Sequence, residues 1–437
     1  MNLILLSGGS GKRLWPLSND IRSKQFIKIF KTDNGYESMV QRMYRLIRKT
    51  DPQAVITLAT SKTQVSSLHN QLGSAIDISV EPCRRDTFPA IALATAYLHD
   101  VKGISDDEAV VVCPVDPYVN EDWFEALHKL HALAQKGTAN LCLLGINPTY
   151  PSEKYGYIIP QTNAEVSIVS TFKEKPDTKT AEKYIAQGGL WNGGVFAYKI
   201  GYVLKRAHEL IDFTDYQDLF HKYETLQKIS FDYAVVEKEN NISVMRFNGE
   251  WKDLGTWNTF TEVMQEPTIG NVHLDKTCQD LHAINELDLP IVCMGLKNTV
   301  VAASPEGILI ADKHQSSYLK PIVDKIVQDI QFADKSWGSY HVLDTQKGSL
   351  TIRITLNPGH KMNYHSHSRR NEVWTIVSGQ GRAIVDGMEQ PVKPGDVITM
   401  QAGCKHTLIA DTELKVIEVQ LGADIRVDDK TIYPLGE

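Results

Sequence analysis

The sequence predicts an α/β domain with a mostly parallel sheet, then a short β-rich linker, then a small all-β barrel. Three observations predict it. From Met1 to about Glu266, apolar strand-like runs alternate with stretches whose apolar residues recur every three or four positions. That is the pattern of helices laid on a mostly parallel sheet. From about Gly270 to Ile330 the helical period fades, and runs such as TVVAAS and GILIAD are broken by Pro305-Glu306-Gly307. After Trp337-Gly338 the segments SLTIRITL, EVWTIVSG, GRAIVDG, DVITMQ and LKVIEVQ alternate and are split by Gly, Pro and Asp turns. Short alternating strands at close spacing suit a small barrel or sandwich. The expected domains are 1–266, 267–332 and 333–437.

The first strand is the apolar run Leu3–Leu6. It breaks at once into Ser7-Gly8-Gly9-Ser10-Gly11, and Lys12, Arg13 and Lys24 follow. Glycine lets backbone N–H groups approach an anion without Cβ obstruction. N–H groups at a strand-to-helix turn bind phosphate, and three cations beside them suit a triphosphate. No Gly-Lys-Ser/Thr closes the loop, and Leu14 stands where a dinucleotide fingerprint has its third glycine. Further strands are expected at AVITLAT, EAVVVCPVD, NLCLLGI and ISVMRF, and helices at PAIALATAYLHDV and DWFEALHKLHALAQK. In Rossmann-like sheets ligands sit at the carboxyl ends of the strands. Ser7–Lys24 and Asp116 both follow strands, so both line one crevice. Asp253, in GEWKDLGTW, also follows a strand-like run. A hard divalent cation needs carboxylate oxygens, and Mg²⁺ takes only one or two from protein. A lone Asp at a strand end otherwise serves as a cap or turn.

Composition narrows the class. The 437 residues are 42% hydrophobic and 23% charged, with a net charge of −7. That length supports two or three cores, and the charge argues against a protein that coats nucleic acid. The six cysteines (Cys83, Cys113, Cys142, Cys278, Cys293 and Cys404) form no C-x-x-C pair. That spacing points to reduced thiols and a cytoplasmic location. No apolar run approaches a membrane span, and the N-terminal run is too short for a signal peptide.

The loop resembles the G-G-x-G-x-R-L-x-P-L signature of sugar-phosphate nucleotidyltransferases, completed by Lys24. Beyond it, EPCRRDTFPAIALA, CPVDPYV, GINPTYPSEKYGYI, FKEKP, LWNGGVF, FDYAVVEK and EWKDLGTW resemble mannose-1-phosphate guanylyltransferases that carry a C-terminal cupin. The resemblance implies that GTP and mannose 1-phosphate give GDP-mannose and pyrophosphate. It implies Mg²⁺ on Asp116 and Asp253, with Arg13 and Lys24 on the triphosphate and Arg85 on the nucleotide side. The loop residues Ser7, Gly8, Gly9, Gly11 and Lys12 join the nucleotide site. Glu174 and Lys175 would meet the sugar hydroxyls and the sugar phosphate. Gly156, Asn192 and Asp232 would complete the sugar wall. Four residues depart from the family pattern: Pro117 after Asp116, Ser23 before Lys24, Lys12 and Phe88. A different nucleotide or hexose 1-phosphate is therefore the alternative pair. A non-catalytic sugar-nucleotide sensor is the alternative outside enzymes. The expected assembly is a homodimer.

In the last third, Gly359, His365, His367, Glu372 and Gly379 stand at cupin spacing, and Gly395 to His406 carries the second cupin motif. His365 and His367 would share one face of a strand. Three imidazoles and a carboxylate suit zinc, iron, nickel or manganese. Relatives with this architecture often isomerise mannose 6-phosphate there. They usually read Gln-x-His where this chain has His365-Ser366-His367, and often Arg where it has Thr407.

Overall fold

The computed structural model describes residues 1–9, 11–425 and 429–435. The chain folds as two compact units. The first comprises Met1–Arg13, Ser23–Val65 and Ala75–Glu266, and the second Leu14–Arg22, Ser66–Ser74 and Pro267–Glu437.

The first unit is built on a nine-stranded sheet. Its first strand, Asn2–Leu6, is paired in parallel with Val55–Ser61 on one side and Ala109–Pro114 on the other. Asp77–Glu81 extends the parallel set at one edge. Leu190–Lys199 enters antiparallel between Ala109–Pro114 and Leu141–Ile146. Leu141–Ile146 pairs in parallel with Ile242–Phe247, and Val166–Lys173 and Tyr157–Pro160 finish the far edge as an antiparallel pair. The inner strands are mostly apolar because helices cover both faces of such a sheet. Ile4, Val110, Val112, Leu141, Leu143 and Val244 are all fully buried in one core.

Helix starts follow local chemistry. Ser38 and Gln41 form a reciprocal capping box at the start of Met39–Thr50. Thr87–Ala96 is apolar on every side and buried along its whole length save Thr87, continuing into a π-helical turn over Tyr97–Val101. Its N-cap, Asp86, has a left-handed φ of 71°.

The second unit starts with a coil of parallel strands. Thr268–Ile269, Gln279–Asn285 and Lys297–Ser304 stack in parallel, as do Val272–Leu274 and Ile291–Cys293. Gly307–Asp312 closes the coil as an antiparallel hairpin partner. The coil has its own small core of Leu281, Ala283, Cys293 and Val301, so it does more than join two domains. A barrel follows, made of a six-stranded and a five-stranded sheet. Leu356, Trp374, Leu408, Leu414 and Val416 are fully buried inside it. Among the described residues, no helix is long and apolar enough to cross a membrane.

Candidate active site and candidate metal centre

The Gly-rich loop leaves the sheet at Ser7, whose base is held tightly. The Ser7 carbonyl accepts from Gln25 Nε2 at 3.1 Å and from Thr60 Oγ1 at 3.0 Å. Gly9 has a φ of +128°, a conformation that favours glycine, and its carbonyl accepts from Gln64 Nε2 at 3.3 Å. The same amide donates to Ser23 Oγ at 2.8 Å. Ser23 thus takes part in holding the loop. Gly8 and Arg13 are exposed and Lys12 is half-buried. Gly11 opens a short 3-10 turn, and Ser10 lies outside the described residues.

Asp116 and Asp253 are brought together by strand register. Pro117–Val119 pairs antiparallel with Trp251–Asp253, and Asp253 stands opposite Pro117. Proline is tolerated in this two-stranded ribbon because an edge position needs no N–H. Lys24 Nζ lies 2.8 Å from Asp116 Oδ2 and 3.4 Å from Asp253 Oδ1. Burial would lower the Lys24 pKa, but the two carboxylates override it and hold the ammonium above its ordinary value. Both aspartates keep about a third of their side chains exposed, at 33% and 34%. Two oxygen-only carboxylates with open sides are a donor set that fits Mg²⁺.

A second cluster gathers Gly156, Glu174, Lys175, Asn192 and Asp232. A Cβ on Gly156 would fall 2.5 Å from Glu174 Oε2 and 3.4 Å from Asn192 Cβ. The Gly156 carbonyl accepts from Asn192 N at 2.8 Å. Asn192 Nδ2 donates to Asp232 Oδ1 at 2.6 Å. The strand register shifts between Asn192 and Phe196, a bulge that re-aims these side chains. Lys175 carries a φ of 44° and bonds Glu174 Oε1 at 2.6 Å. Strained backbone at a charged residue is common at ligand-binding sites. Burial and neighbouring Glu174 push the Asp232 carboxyl up to about 7. Arg85 donates to the Glu224 carbonyl.

In the barrel, His365, His367, Glu372 and His406 are buried and offer ligand atoms within 4.8 Å of one another. Each histidine sets its Nδ1 against a backbone carbonyl: His365 on Asn363 at 2.6 Å, His406 on Cys404 at 3.0 Å, and His367 on Asp429. A carbonyl accepts only from N–H, so each Nδ1 is the donor, and in the neutral ring this leaves Nε2 as the lone-pair nitrogen. Burial drives His365 down to about 3 and also lowers His367, which favours neutral rings. His406 Nε2 is buried without a hydrogen-bond partner and faces Glu372 Oε2 at 3.0 Å. A lone pair against a carboxylate is what a cation between them would resolve. Arg370 adds positive charge, with Nε 2.8 Å from Glu372 Oε1 and Nη2 3.0 Å from His367 Nε2. Against burial, the permanent charge of Arg370 contributes to holding the Glu372 carboxylate below its ordinary range. The donor set fits a first-row transition metal or zinc.

Residues 2–268 match the family model for nucleotidyl transferases. The chain belongs to that family. This nucleotidyl transferase is an enzyme domain joined to a second match, a cupin domain over residues 352–420. It is 28% identical to the mannose-1-phosphate guanylyltransferase ManC of Salmonella typhimurium, covering 98% of this chain and 96% of that one. It is equally 28% identical to the xanthan biosynthesis protein XanB of Xanthomonas campestris pv. campestris strain B100, over 98% and 96%. A solved structure from Thermus thermophilus, described as a mannose-1-phosphate geranyltransferase, superposes with a TM-score of 0.62. That match is 27% identical and covers 74% of this chain and 98% of the other.

Some neighbours of the candidate residues were invisible to sequence reasoning. Tyr155, Trp191 and Trp251 pack with ring centroids 4.9, 5.5 and 6.3 Å apart. Trp191 adjoins Asn192 in the chain, and Trp251 shares a short strand with Asp253. Their motifs, KYGY, LWNGG and GEWKD, draw attention to their polar members only. In the barrel, Glu418 is buried, accepts from Trp374 Nε1 at 2.8 Å, and is pushed up to about 7 by burial and by Glu372. Only its place on an alternating strand could have marked it as inward-facing.

Proposed function

We propose that this chain transfers a guanylyl group from GTP to mannose 1-phosphate, giving GDP-mannose and pyrophosphate. The single observation that carries the proposal is the convergence of Lys24, Asp116 and Asp253 at the end of the central strands. The sugar-side group around Gly156, Glu174, Asn192 and Asp232 supports it. So do relatives whose names specify mannose 1-phosphate and guanylyl transfer.

A phosphate oxygen of the hexose 1-phosphate attacks the α-phosphorus, and the bond to pyrophosphate breaks on the opposite side. No protein nucleophile is needed, so catalysis is positioning plus charge neutralisation. Lys24 stays charged across the working range because its pKa is raised, and it balances the growing negative charge. Arg13 and the N–H groups of Gly8 and Gly9 receive the departing phosphates. Glu174 and Asn192 fix the sugar hydroxyls, and Lys175 meets the sugar phosphate. Mg²⁺ held by Asp116 and Asp253 would supply Lewis-acid stabilisation of the phosphate charge. The barrel cluster would hold a transition metal or zinc through His365, His367, Glu372 and His406.

The test is pyrophosphate release with Mg²⁺ across the four NTPs and a panel of hexose 1-phosphates. Release confined to GTP with mannose 1-phosphate supports the proposal. Release with another pair keeps the transfer and overturns the substrate, and release with none overturns both.

A further inference from the structure

The chain between two phosphate-binding candidates, Arg13 and Lys24, does not fold with them. Leu14–Arg22 belongs to the second compact unit. It is also among the best-buried stretches there: Leu14, Leu17, Ser18, Asn19 and Arg22 are exposed by 9% or less. The partners of Arg22 and Asn19 lie 264 to 313 residues downstream.

Arg22 makes a two-pronged ion pair with Glu286, at 2.7 and 2.8 Å, and its guanidinium sits 5.1 Å over the Phe332 ring. Asn19 Nδ2 donates to Glu306 Oε1 at 2.8 Å and to the Phe332 carbonyl at 3.0 Å. Its Oδ1 accepts from the N–H groups of Ile21 and Arg22 at 2.9 and 2.7 Å, which fixes the turn itself. Glu306 is buried and also accepts from the N–H groups of Gln331 and Phe332. Ser304 Oγ donates to the Pro16 carbonyl at 2.6 Å. Gly307, at a φ of +146°, leaves no room for a Cβ, which would lie 2.5 Å from Trp15 Cζ2.

A surface loop of this length needs no such partners. Buried, charge-assisted and bidentate bonds hold a group in one geometry far better than exposed ones. Small displacements of a charge-neutralising group are costly in a reaction run on positioning. We propose that Glu286 and Glu306, with the tight turn at Gly307, are positioning residues for nucleotidyl transfer. They fix the segment that sets the spacing between Arg13 and Lys24. The parallel-stranded coil is then part of the enzyme's working machinery. The inference rests on the guanylyl-transfer reading.

The test uses the full chain and two readouts. Steady-state kinetics are measured for wild type, Glu286→Gln, Glu306→Gln and the charge-swapped pair Arg22→Glu with Glu286→Arg. The single variants should lose roughly tenfold to a hundredfold in kcat. KM for the hexose 1-phosphate should stay near wild type, because Glu174 and Asn192 are untouched. The swapped pair should recover part of the loss. Hydrogen exchange over Leu14–Lys24 is followed in parallel for Arg22→Lys and both glutamate variants. It should rise there while exchange inside the barrel is unchanged. Folded variants with wild-type kcat and unchanged exchange overturn the proposal. If a glutamate variant does not fold, Arg22→Lys, which keeps the charge and loses the fork, decides by exchange alone. Wild type without transfer activity, but with the exchange change, overturns the guanylyl-transfer reading and leaves the anchor standing.

Discussion

Asp116 and Asp253 sit side by side because Asp253 pairs opposite Pro117, and Lys24 bridges the two carboxylates. Asp116→Asn or Asp253→Asn should cut kcat by about a hundredfold to a thousandfold. Thermal melting should hardly change, since both side chains are partly solvated; single-turnover assays on folded variants check this. On the sugar side, Gly156→Ala would drive a Cβ into Glu174 Oε2. It should raise KM for the hexose 1-phosphate about tenfold with kcat less affected. Asp232 gives a pH signature. Its carboxyl is raised to about 7 in the fold, so its protonated form is the one the native state favours. Its contribution to stability is complete below the ordinary carboxylate pKa and is lost as pH rises through about 7. Wild type should therefore lose melting temperature relative to Asp232→Asn across that interval. Parallel melting curves that never diverge would refute it.

Elements are legible where the signal is local. The strand ISVMRF is expected at the residues where it forms, Ile242–Phe247, because a mostly apolar, mostly buried run stands out from the polar residues on either side. The four candidate ligands of the barrel are also legible from cupin spacing, although His365 and His406 pair in one sheet, Glu372 lies in the other, and His367 falls just past the short strand His365–Ser366 rather than sharing it. The stretch 267–332 reads in the sequence as short joining strands. Its parallel pairs are long-range, so no period in the sequence announces that they stack around a core of their own. The same limit hides the partners of Arg22 and Asn19. Aromatic packing of Tyr155, Trp191 and Trp251 is hidden because it joins three separate motifs. At this scale the barrel cluster makes a prediction. Stripping metal with a chelator should lower the melting temperature of the barrel transition. The loss is roughly 2.7 kcal/mol when free metal stands at about a hundred times Kd. His406→Ala should abolish both the bound metal and the chelator effect, as metal analysis and calorimetry would register.

The whole molecule is a nucleotidyl transferase unit and a second unit that carries a parallel-stranded coil and a cupin. The α/β layering and the terminal barrel are both readable from alternation and turn residues. The regrouping of Leu14–Arg22 and Ser66–Ser74 with the second unit is not. Those segments are short and flanked by first-unit residues, and only contacts across the whole chain reveal where they belong. Asn70 illustrates this, donating to the carbonyls of Lys335 and Gly338 at 2.8 and 3.0 Å. The proposed guanylyl transfer at Lys24, Asp116 and Asp253 is tested most directly by running the reaction backwards. Purified protein is given GDP-mannose, labelled pyrophosphate and Mg²⁺, and the nucleotide pool is separated. Label should enter GTP with wild type and be nearly absent with Asp116→Asn. Label entering GTP equally with Asp116→Asn, or no labelled nucleotide with wild type, would contradict this assignment.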